Sequence, residues 1–498
     1  MTKMGDMPTL TVTCPATGSH IGDVPAHSPA DTSDAFARAR TAQSAWATTP
    51  VAQRRKIMLR LHDLILDRQA EIMDVIQDET GKNRASAFDE ILDIAVTARH
   101  YAHAAARLLK TRRVRGAVPV LTRTHVERAP KGVVGIISPW NYPLSLALSD
   151  AIPALLAGNA VVLKPDEKTP FTALRAVELL REAGLPHDVM QVVTGEGAVT
   201  GQALAQECDY LMFTGSTPVG RKLGAVAGER LIGYSAELGG KNPLIVAPDA
   251  DVPHAVRGAV NACFANSGQL CISIERIFVH ADVADEFLTG FIAATEAMRI
   301  DGGRDWTVDM GSLISAEHRE RVASLVDDAV SRGATVLTGG RALDELGPAF
   351  YAPTVLTDVP SDAELFAEET FGPVVTVQVV DSLDEAVARA NESEYGLNAS
   401  VWGAASTARK VASRLQTGTV NVNEGFAAAW GSLDAPMGGW KQSGVGRRHG
   451  DVGLLKYTEE RTVAVQRAMT LRGPATMPRE QYAQVMSNAL RYGKSLLR

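Results

Sequence analysis

The sequence predicts an α/β fold with two α/β domains in tandem, and two observations support this prediction. Short apolar, β-branched runs such as "GVVGIISPWNYP", "GNAVVLKP" and "NPLIVAP" each end in Gly, Pro or Asn, and helical segments separate most of them. A second α/β series follows from about Gly239, with strands such as "RIFVH" and "VVTVQVV". This alternation is typical of doubly wound sheets, in which helices connect parallel strands.

Composition excludes several classes of protein. The chain has 498 residues, enough for two or three domains, and a formal net charge of −7 without the basic stripe that a nucleic-acid binder needs. Its four cysteines are too irregularly spaced for a disulfide framework, and no cysteine or histidine spacing predicts a metal site. No secretion signal is visible, so we expect a cytoplasmic protein.

Several elements can be placed in chain order. Apolar residues recur at three and four between about residues 31 and 110, which predicts a helical lead-in. The apolar stretch 144–163 is interrupted by Asp150, Pro153 and a Gly-Asn turn, and therefore predicts a buried helix and strand and not a membrane span. Later helices are expected near 252–265, 281–298, 316–332 and 383–390.

Two glycine-rich turns suggest nucleotide binding. "TGEGAVTG" places Gly197 and Gly201 after one strand, and "MFTGSTPVG" places Gly215 and Ser216 after the next. Missing side chains let a phosphate approach a helix N-terminus, although each turn alone is equally consistent with a simple connection.

Lys164 and Glu167 follow a third strand, "VVLKPDEKTP". At the carboxyl end of a central parallel strand both would lie in the ligand crevice. Glu167 could accept hydrogen bonds from a ribose diol and would repel a 2′-phosphate, which favours NAD and leaves NADP possible.

The motifs "SPWNYP", "ELGGKNP", "NSGQLC" and "EETFGP" follow in that order. With the turns above, they make residues 30–465 resemble the NAD(P)-dependent aldehyde dehydrogenase superfamily. The resemblance implies a Rossmann-type cofactor domain, an α/β catalytic domain and a small β oligomerisation element.

The resemblance also assigns roles to three residues. Cys271 matches the nucleophile that attacks the aldehyde to give a thiohemiacetal, and Asn141 matches the amide of the oxyanion hole. Glu237 matches the base that activates water to release the acid from a thioester. Chemistry agrees with these roles, because a thiol needs a base or donors, and a developing oxyanion needs aimed N–H groups.

Further residues match cofactor contacts of the family or lie near the expected substrate tunnel. The cofactor set is Ser138, Pro139, Trp140, Lys164, Glu167, Gly197, Gly201, Phe213, Gly215, Ser216, Val219, Leu238, Glu369 and Phe371. The substrate-pocket residues are Phe426 and Trp430.

The closest resemblance is to bacterial, actinobacterial-type succinate-semialdehyde dehydrogenases, with two departures. Ser149 and Ala265 occupy positions where well-understood enzymes for that substrate place arginines that hold its carboxylate. We therefore expect succinate semialdehyde or another small aldehyde, and keep an aromatic or medium-chain aliphatic aldehyde as the alternative. Ser273 replaces a second cysteine, so no disulfide switch is expected with Cys271.

The resemblance implies domain bounds and a homodimer or tetramer. The expected bounds are 1–111 and 131–238 for the NAD-binding domain, 239–445 for the catalytic domain, 112–130 and 446–475 for the oligomerisation element, and 476–498 for an amphipathic tail. The tail is expected to pack on its own or a neighbouring subunit, with a membrane surface as the alternative.

Two rival functions stay open at this point. A CoA-acylating dehydrogenase would use a thiol in place of water, but such relatives generally lack a base at the position of Glu237. A noncatalytic protein could keep the fold, but the presence of Asn141, Glu237 and Cys271 together argues against it.

Overall fold

The computed structural model describes residues 8–116, 122–467 and 472–495. These residues form two compact units. The first contains the described residues up to Leu108 and Pro130–Tyr457, and the second contains those of Leu109–Ala129 and from Thr458 onward. The family resemblance placed residues 446–457 in the oligomerisation element, whereas they belong to the first unit.

The first unit begins with a small antiparallel sheet and four helices. These elements are β1 (Thr9–Thr13), β2 (His20–Pro25), α1 (Pro29–Thr48), α2 (Val51–Asp67), α3 (Gln69–Thr80) and α4 (Arg84–Leu108). Ser28 and Asp31 form a capping box at the start of α1, and α3 ends at Gly81, whose φ is 68°. The predicted helical lead-in is thus four separate helices.

The next elements build the first large sheet, after two strands of the second unit. They are β3 (Arg112–Arg115), β4 (Thr122–Pro130), β5 (Val133–Ile137), α5 (Pro143–Ala157), β6 (Ala160–Lys164), α6 (Pro170–Glu182), β7 (Met190–Val192), α7 (Gln202–Glu207), β8 (Tyr210–Thr214), α8 (Thr217–Glu229) and β9 (Gly233–Glu237). As predicted, 144–163 is a buried helix, a turn at Gly158 and a buried strand.

The remaining elements build the second large sheet and a small two-stranded sheet, complete the edge of the first large sheet, and form the end of the chain. They are β10 (Asn242–Val246), α9 (Val252–Phe264), β11 (Ile274–His280), α10 (Ala284–Glu296), α11 (Ala316–Ser331), β12 (Thr335–Thr338), β13 (Thr354–Thr357), α12 (Glu364–Ala367), β14 (Val374–Val380), α13 (Leu383–Asn391), β15 (Tyr395–Gly396), β16 (Ser400–Trp402), α14 (Ala405–Ala412), β17 (Asn421–Val422), α15 (Ala427–Trp430), β18 (Trp440–Lys441), β19 (Gly444–Val445), α16 (Gly450–Leu455), β20 (Thr458–Gln466) and α17 (Arg479–Tyr492). The helix expected from residue 281 begins at Ala284, after a 3₁₀ turn.

The two large sheets have the predicted parallel character. The first has the order β19-β9-β8-β5-β6-β7 and is parallel except at β19, and the second has the order β12-β13-β14-β11-β10-β16-β17 and is parallel except at β12. The carboxyl ends of β5, β6, β8 and β9 therefore lie along one edge of the first sheet, where ligands bind in such folds.

The second unit is a three-stranded sheet with the order β20-β4-β3, in which β3 and β4 are antiparallel. Most residues of β20 are exposed. In the described part of the tail, α17 has no buried residue, so the expected packing of the tail stays a prediction. None of the described helices is both long and apolar enough to cross a bilayer.

Candidate active site

One cavity of about 420 Å³ in the first unit brings together residues from both large sheets. All three residues matched to catalytic roles line it, and seven of the cofactor set do so as well. The seven are Pro139, Trp140, Gly215, Ser216, Leu238, Glu369 and Phe371. Residues that are far apart in the sequence thus share one concave site, as expected for a ligand site.

Cys271 follows a tight turn that is held in an unusual backbone conformation. Asn266 and Ser267 have φ values of 51° and 58°, and both are almost completely buried. The Ser267 hydroxyl donates to the Gly311 carbonyl over 2.9 Å, and the Asn242 amide donates to the Cys271 carbonyl over 2.8 Å. Such strain persists only where surrounding contacts impose it, and it fixes the position of the thiol.

Asn141 lies in the loop between β5 and α5, and its position is fixed at both ends. Its Nδ2 donates to the Gln269 carbonyl over 3.0 Å, which ties it to the cysteine turn. The main-chain carbonyl of Asn141 accepts hydrogen bonds from Lys82 Nζ at 2.6 Å and from Asn266 Nδ2 at 3.1 Å. Because an amide nitrogen carries two N–H groups, one remains to stabilise an oxyanion.

Lys82 and Glu90 form a buried ion pair that holds this loop, and we did not predict this pair from the sequence. Lys82 Nζ donates to Glu90 Oε1 over 2.8 Å, and both side chains are fully buried. The other oxygen of Glu90 accepts from the main-chain N–H groups of Leu144 and Ser145 at the start of α5. The sequence predicts only helices between about residues 31 and 110, because a charged side chain in a helical stretch is usually solvated.

Glu237 ends β9 and is buried. Burial raises the pKa of its carboxyl group to about 7, while the positive charges of Arg448 and Lys456 oppose this rise. A carboxyl group with a pKa near neutrality exchanges protons readily at physiological pH, which suits a general base.

The Cys271 thiol differs from our expectation. We expected neighbouring groups to favour the thiolate, but burial raises the pKa of this thiol to about 12, and the carboxylates of Glu369 and Glu237 also raise it. Like charges nearby disfavour an anion. Attack on the substrate therefore requires that the thiol lose its proton to a base.

The helix α8 offers a phosphate site at the first sheet. Its N-cap, Ser216, makes no side-chain capping hydrogen bond to any described residue, and Ser216, Thr217 and Pro218 at the start of the helix line the cavity. A Cβ on Gly215 would lie 2.5 Å from the Phe213 ring, so glycine is required where that ring packs. These features fit the pyrophosphate of a dinucleotide.

The remaining members of the cofactor set do not line this cavity. They are Ser138, Lys164, Glu167, Gly197, Gly201, Phe213 and Val219. Phe213 is buried beneath Gly215, and Val219 is exposed on α8. Lys164 Nζ donates to Glu167 Oε2 over 3.0 Å and lies 3.9 Å from the position that a Cβ on Gly197 would take. Lys164, Glu167 and Gly197 therefore lie close together near the end of β6, outside the cavity.

Glu369 and Phe371 close the cavity from the side of the second sheet. Glu369 Oε1 accepts from the Gly240 N–H over 2.8 Å, and burial raises the pKa of this carboxyl group to about 8. Phe371 has a φ of 52°, and its main-chain N–H donates to Glu275, a carboxylate that also binds Lys241. The sequence did not single out the Lys241–Glu275 pair.

Phe426 and Trp430 line a second, narrow cavity that also includes Cys271, and their contact with the substrate stays a prediction; we call this cavity the tunnel. Ser149 lies in the same tunnel wall, whereas Ala265 packs nearby without lining it. The tunnel also contains Arg448, which we did not predict. Its charge was hidden in the run "SGVGRRHG", where two adjacent arginines look like solvated surface residues.

Comparison with known proteins places the chain in a family. Residues 2–463 match the aldehyde dehydrogenase family. A Mycolicibacterium smegmatis protein that is provisionally named as a succinate-semialdehyde dehydrogenase using NADP(+) is 52% identical, over 95% of this chain and 92% of its own.

Two solved structures are similar throughout. PnpE from Pseudomonas sp. WBC-3, in complex with nicotinamide adenine dinucleotide, is 37% identical with a TM-score of 0.89, over 94% of this chain and 96% of its own. The NAD+ complex of a Bacillus cereus aldehyde dehydrogenase is 34% identical with a TM-score of 0.88, over 92% of this chain and 93% of its own. The chain belongs to the aldehyde dehydrogenase family and is an NAD(P)-dependent enzyme.

Proposed function

We propose that this enzyme oxidises succinate semialdehyde to succinate, with Cys271 as nucleophile, Asn141 in the oxyanion hole and Glu237 as general base. The single observation that carries the proposal is that these three residues line one cavity together with the glycine-rich turn at Gly215 and Ser216. The 52% identity with the M. smegmatis protein supports this substrate.

In the first step the Cys271 sulfur attacks the aldehyde carbon and forms a thiohemiacetal. The thiol proton passes to Glu237, which can accept it because its pKa is near 7. Asn141 Nδ2 and the Cys271 main-chain N–H donate to the new oxyanion, an interaction typically worth about 3 kcal/mol for one such donor. Glu369 and Phe371 would hold the nicotinamide nucleotide, which would supply the acceptor for the hydride of the substrate carbon.

The second step is hydrolysis of the thioester on Cys271. Glu237 releases its proton to solvent and then takes one from a water molecule, which attacks the thioester carbon. The acid leaves, and the thiol regains a proton.

NAD is the expected cofactor, with NADP as the alternative. Glu167 would accept hydrogen bonds from the ribose diol and repel a 2′-phosphate, but its ion pair with Lys164 offsets part of that repulsion. The relatives differ in the same respect, because the M. smegmatis protein is named for NADP(+) and both solved structures are NAD complexes.

A second candidate substrate is an aromatic or medium-chain aliphatic aldehyde. The observation that favours it is the apolar group around the thiol, in which Phe426, Trp430, Ile272 and Met437 pack with Cys271. A panel of succinate semialdehyde, hexanal and benzaldehyde, with NAD and NADP, tests both candidates. The highest kcat/KM for succinate semialdehyde supports the first, and the highest for benzaldehyde or hexanal replaces it with the second.

We also infer a homodimer or tetramer in the cytoplasm. The exposed strand β20 can pair with another chain at the edge of its sheet, and all four cysteines are free, as in a reducing compartment. Light scattering after size exclusion should give two or four times the 53.0 kDa chain mass. A monomer would refute the oligomer.

A further inference from the structure

The substrate tunnel has a polar patch formed by Ser149, Arg448 and His449. All three residues line the tunnel that also contains Cys271. Their exposed fractions are 8%, 9% and 3%, so their polar atoms are largely shielded from bulk water. We call these three residues the distal patch.

Each residue of the distal patch has an unsatisfied polar atom. Ser149 Oγ, Arg448 Nε and His449 Nδ1 are buried and have no hydrogen-bond partner among the described residues. A buried polar atom without a partner typically costs about 1 to 3 kcal/mol. Three such atoms, on residues that line one tunnel together with Cys271, indicate a place for a polar ligand.

Arg448 is held rigidly in this position. Its main chain forms reciprocal hydrogen bonds of 2.8 Å with Met437, and its Nη2 donates to Asp150. Asp150 also accepts from Lys456 Nζ at 2.9 Å and from the Tyr457 hydroxyl at 2.9 Å. Asp150 thus fixes the guanidinium through Nη2, while Arg448 Nε keeps no partner among the described residues.

Two other carboxyl groups, Asp89 and Asp93, line the same tunnel. Burial raises the pKa of Asp89 to about 6 and that of Asp93 to about 7, so near neutrality Asp89 carries most of its charge and Asp93 carries part of it. His449 stays neutral, because burial lowers its pKa to about 3. Arg448 is therefore the tunnel-lining cation of this neighbourhood that can attract an anion.

We propose that Arg448, with Ser149 and His449, binds the distal carboxylate of an ω-oxo carboxylic acid whose aldehyde reacts at Cys271. This inference rests on the proposed function and assigns the group that recognises the acid end of its substrate. It explains how the enzyme can select such a substrate although Ser149 and Ala265 replace the arginines expected there. The small Ser149 leaves room for a guanidinium that comes from another part of the chain.

The test compares succinate semialdehyde with butanal, which has the same carbon chain without the carboxylate. In Arg448→Met, the ratio of kcat/KM for succinate semialdehyde to that for butanal should fall about 10- to 100-fold, because a charge-assisted hydrogen bond is lost. Arg448 also affects the pKa of Glu237, but this effect is the same for both substrates and therefore cancels in the ratio.

Lys456→Met is the matched control, since Lys456 binds the same Asp150 but does not line the tunnel. This variant should keep the wild-type ratio. If Arg448→Met and Lys456→Met lower the ratio equally, the effect comes from Asp150 and the proposal is overturned. An unchanged ratio in Arg448→Met also overturns it.

Ser149→Ala decides the question if Arg448→Met does not fold. It removes only a hydroxyl and should lower the ratio about three- to tenfold, and an unchanged ratio contradicts the distal patch. The wild-type enzyme separates the two proposals. Oxidation of succinate semialdehyde with a kcat/KM no higher than that for butanal overturns the distal patch alone, whereas no oxidation of succinate semialdehyde overturns the proposed function as well.

Discussion

The catalytic site around Cys271 and the distal patch are built in different ways. Around Cys271 and Asn141, hydrogen bonds join short motifs that lie far apart in the sequence, such as those of Asn141 and Gln269, but each motif is recognisable by itself. At the distal patch, Ser149 of α5 lines the same tunnel as Arg448, and neither was assigned a ligand contact from the sequence. The catalytic site can thus be predicted from motifs, whereas the distal patch shows only in the tertiary structure. Four variants test this difference.

The largest effect is expected at the nucleophile. Cys271→Ala should lower kcat by at least about 10³-fold while NAD binding survives, because no other group can form the covalent intermediate. Turnover and cofactor binding can be measured by NADH absorbance and by calorimetry. Cys263→Ala, at a buried cysteine on α9 that does not line the cavity, should retain turnover. Turnover by Cys271→Ala would remove this residue from its role.

The next effect is expected at the oxyanion hole. Asn141→Ala should lower kcat about 10²- to 10³-fold, as for other enzymes that lose one such donor. Asn159→Ala is the control, because this buried amide supports the Gly132, Ala154 and Tyr457 main chain away from the cavity. It should lower the melting temperature without a comparable loss of kcat. Equal losses of kcat in both variants would mean that Asn141 is only structural.

The buried ion pair behind Asn141 should matter for stability. Lys82→Met leaves the Glu90 carboxylate buried without its cation, which should lower the free energy of unfolding by about 3 to 5 kcal/mol. Urea denaturation measures this change. Lys56→Met, on the exposed side of α2, should change it by less than about 0.5 kcal/mol. A Lys82 variant as stable as the Lys56 variant would contradict the role assigned to the pair.

The smallest effect is expected at the cofactor end. Glu167→Ser should raise kcat/KM for NADP relative to NAD by about three- to tenfold, because it removes a negative charge and leaves Lys164 free to meet a 2′-phosphate. Glu178→Ser, which removes an exposed carboxylate from α6, should leave the ratio unchanged. A constant ratio in the Glu167 variant would argue against a ribose contact.

The fold could largely be predicted from the sequence, because periodicity and motif order are local properties. Alternating strands and helices indicated two parallel sheets, and the short motifs predicted roles for Asn141, Glu237 and Cys271, which line one cavity. The raised pKa of the Cys271 thiol could not be foreseen, since it depends on burial and on the carboxylates of Glu369 and Glu237.

Lys82, Glu90 and Arg448 were missed for a related reason. A charged residue is usually solvated, and only tertiary structure shows that these three are buried and paired. The expected domain bounds depend on the resemblance, whereas the units depend on contacts in the folded chain. Residues 446–457, for example, belong to the first unit.

The central claim is that Cys271 carries the acyl group and Glu237 drives its hydrolysis. The most direct measurement is a rapid-mixing assay of Glu237→Gln with succinate semialdehyde and NAD, followed by mass spectrometry of the Cys271 peptide. The account predicts a burst of one NADH per active site, slow further turnover and a succinyl group on Cys271. Steady turnover at the wild-type rate, or a burst that leaves Cys271 unmodified, would contradict it.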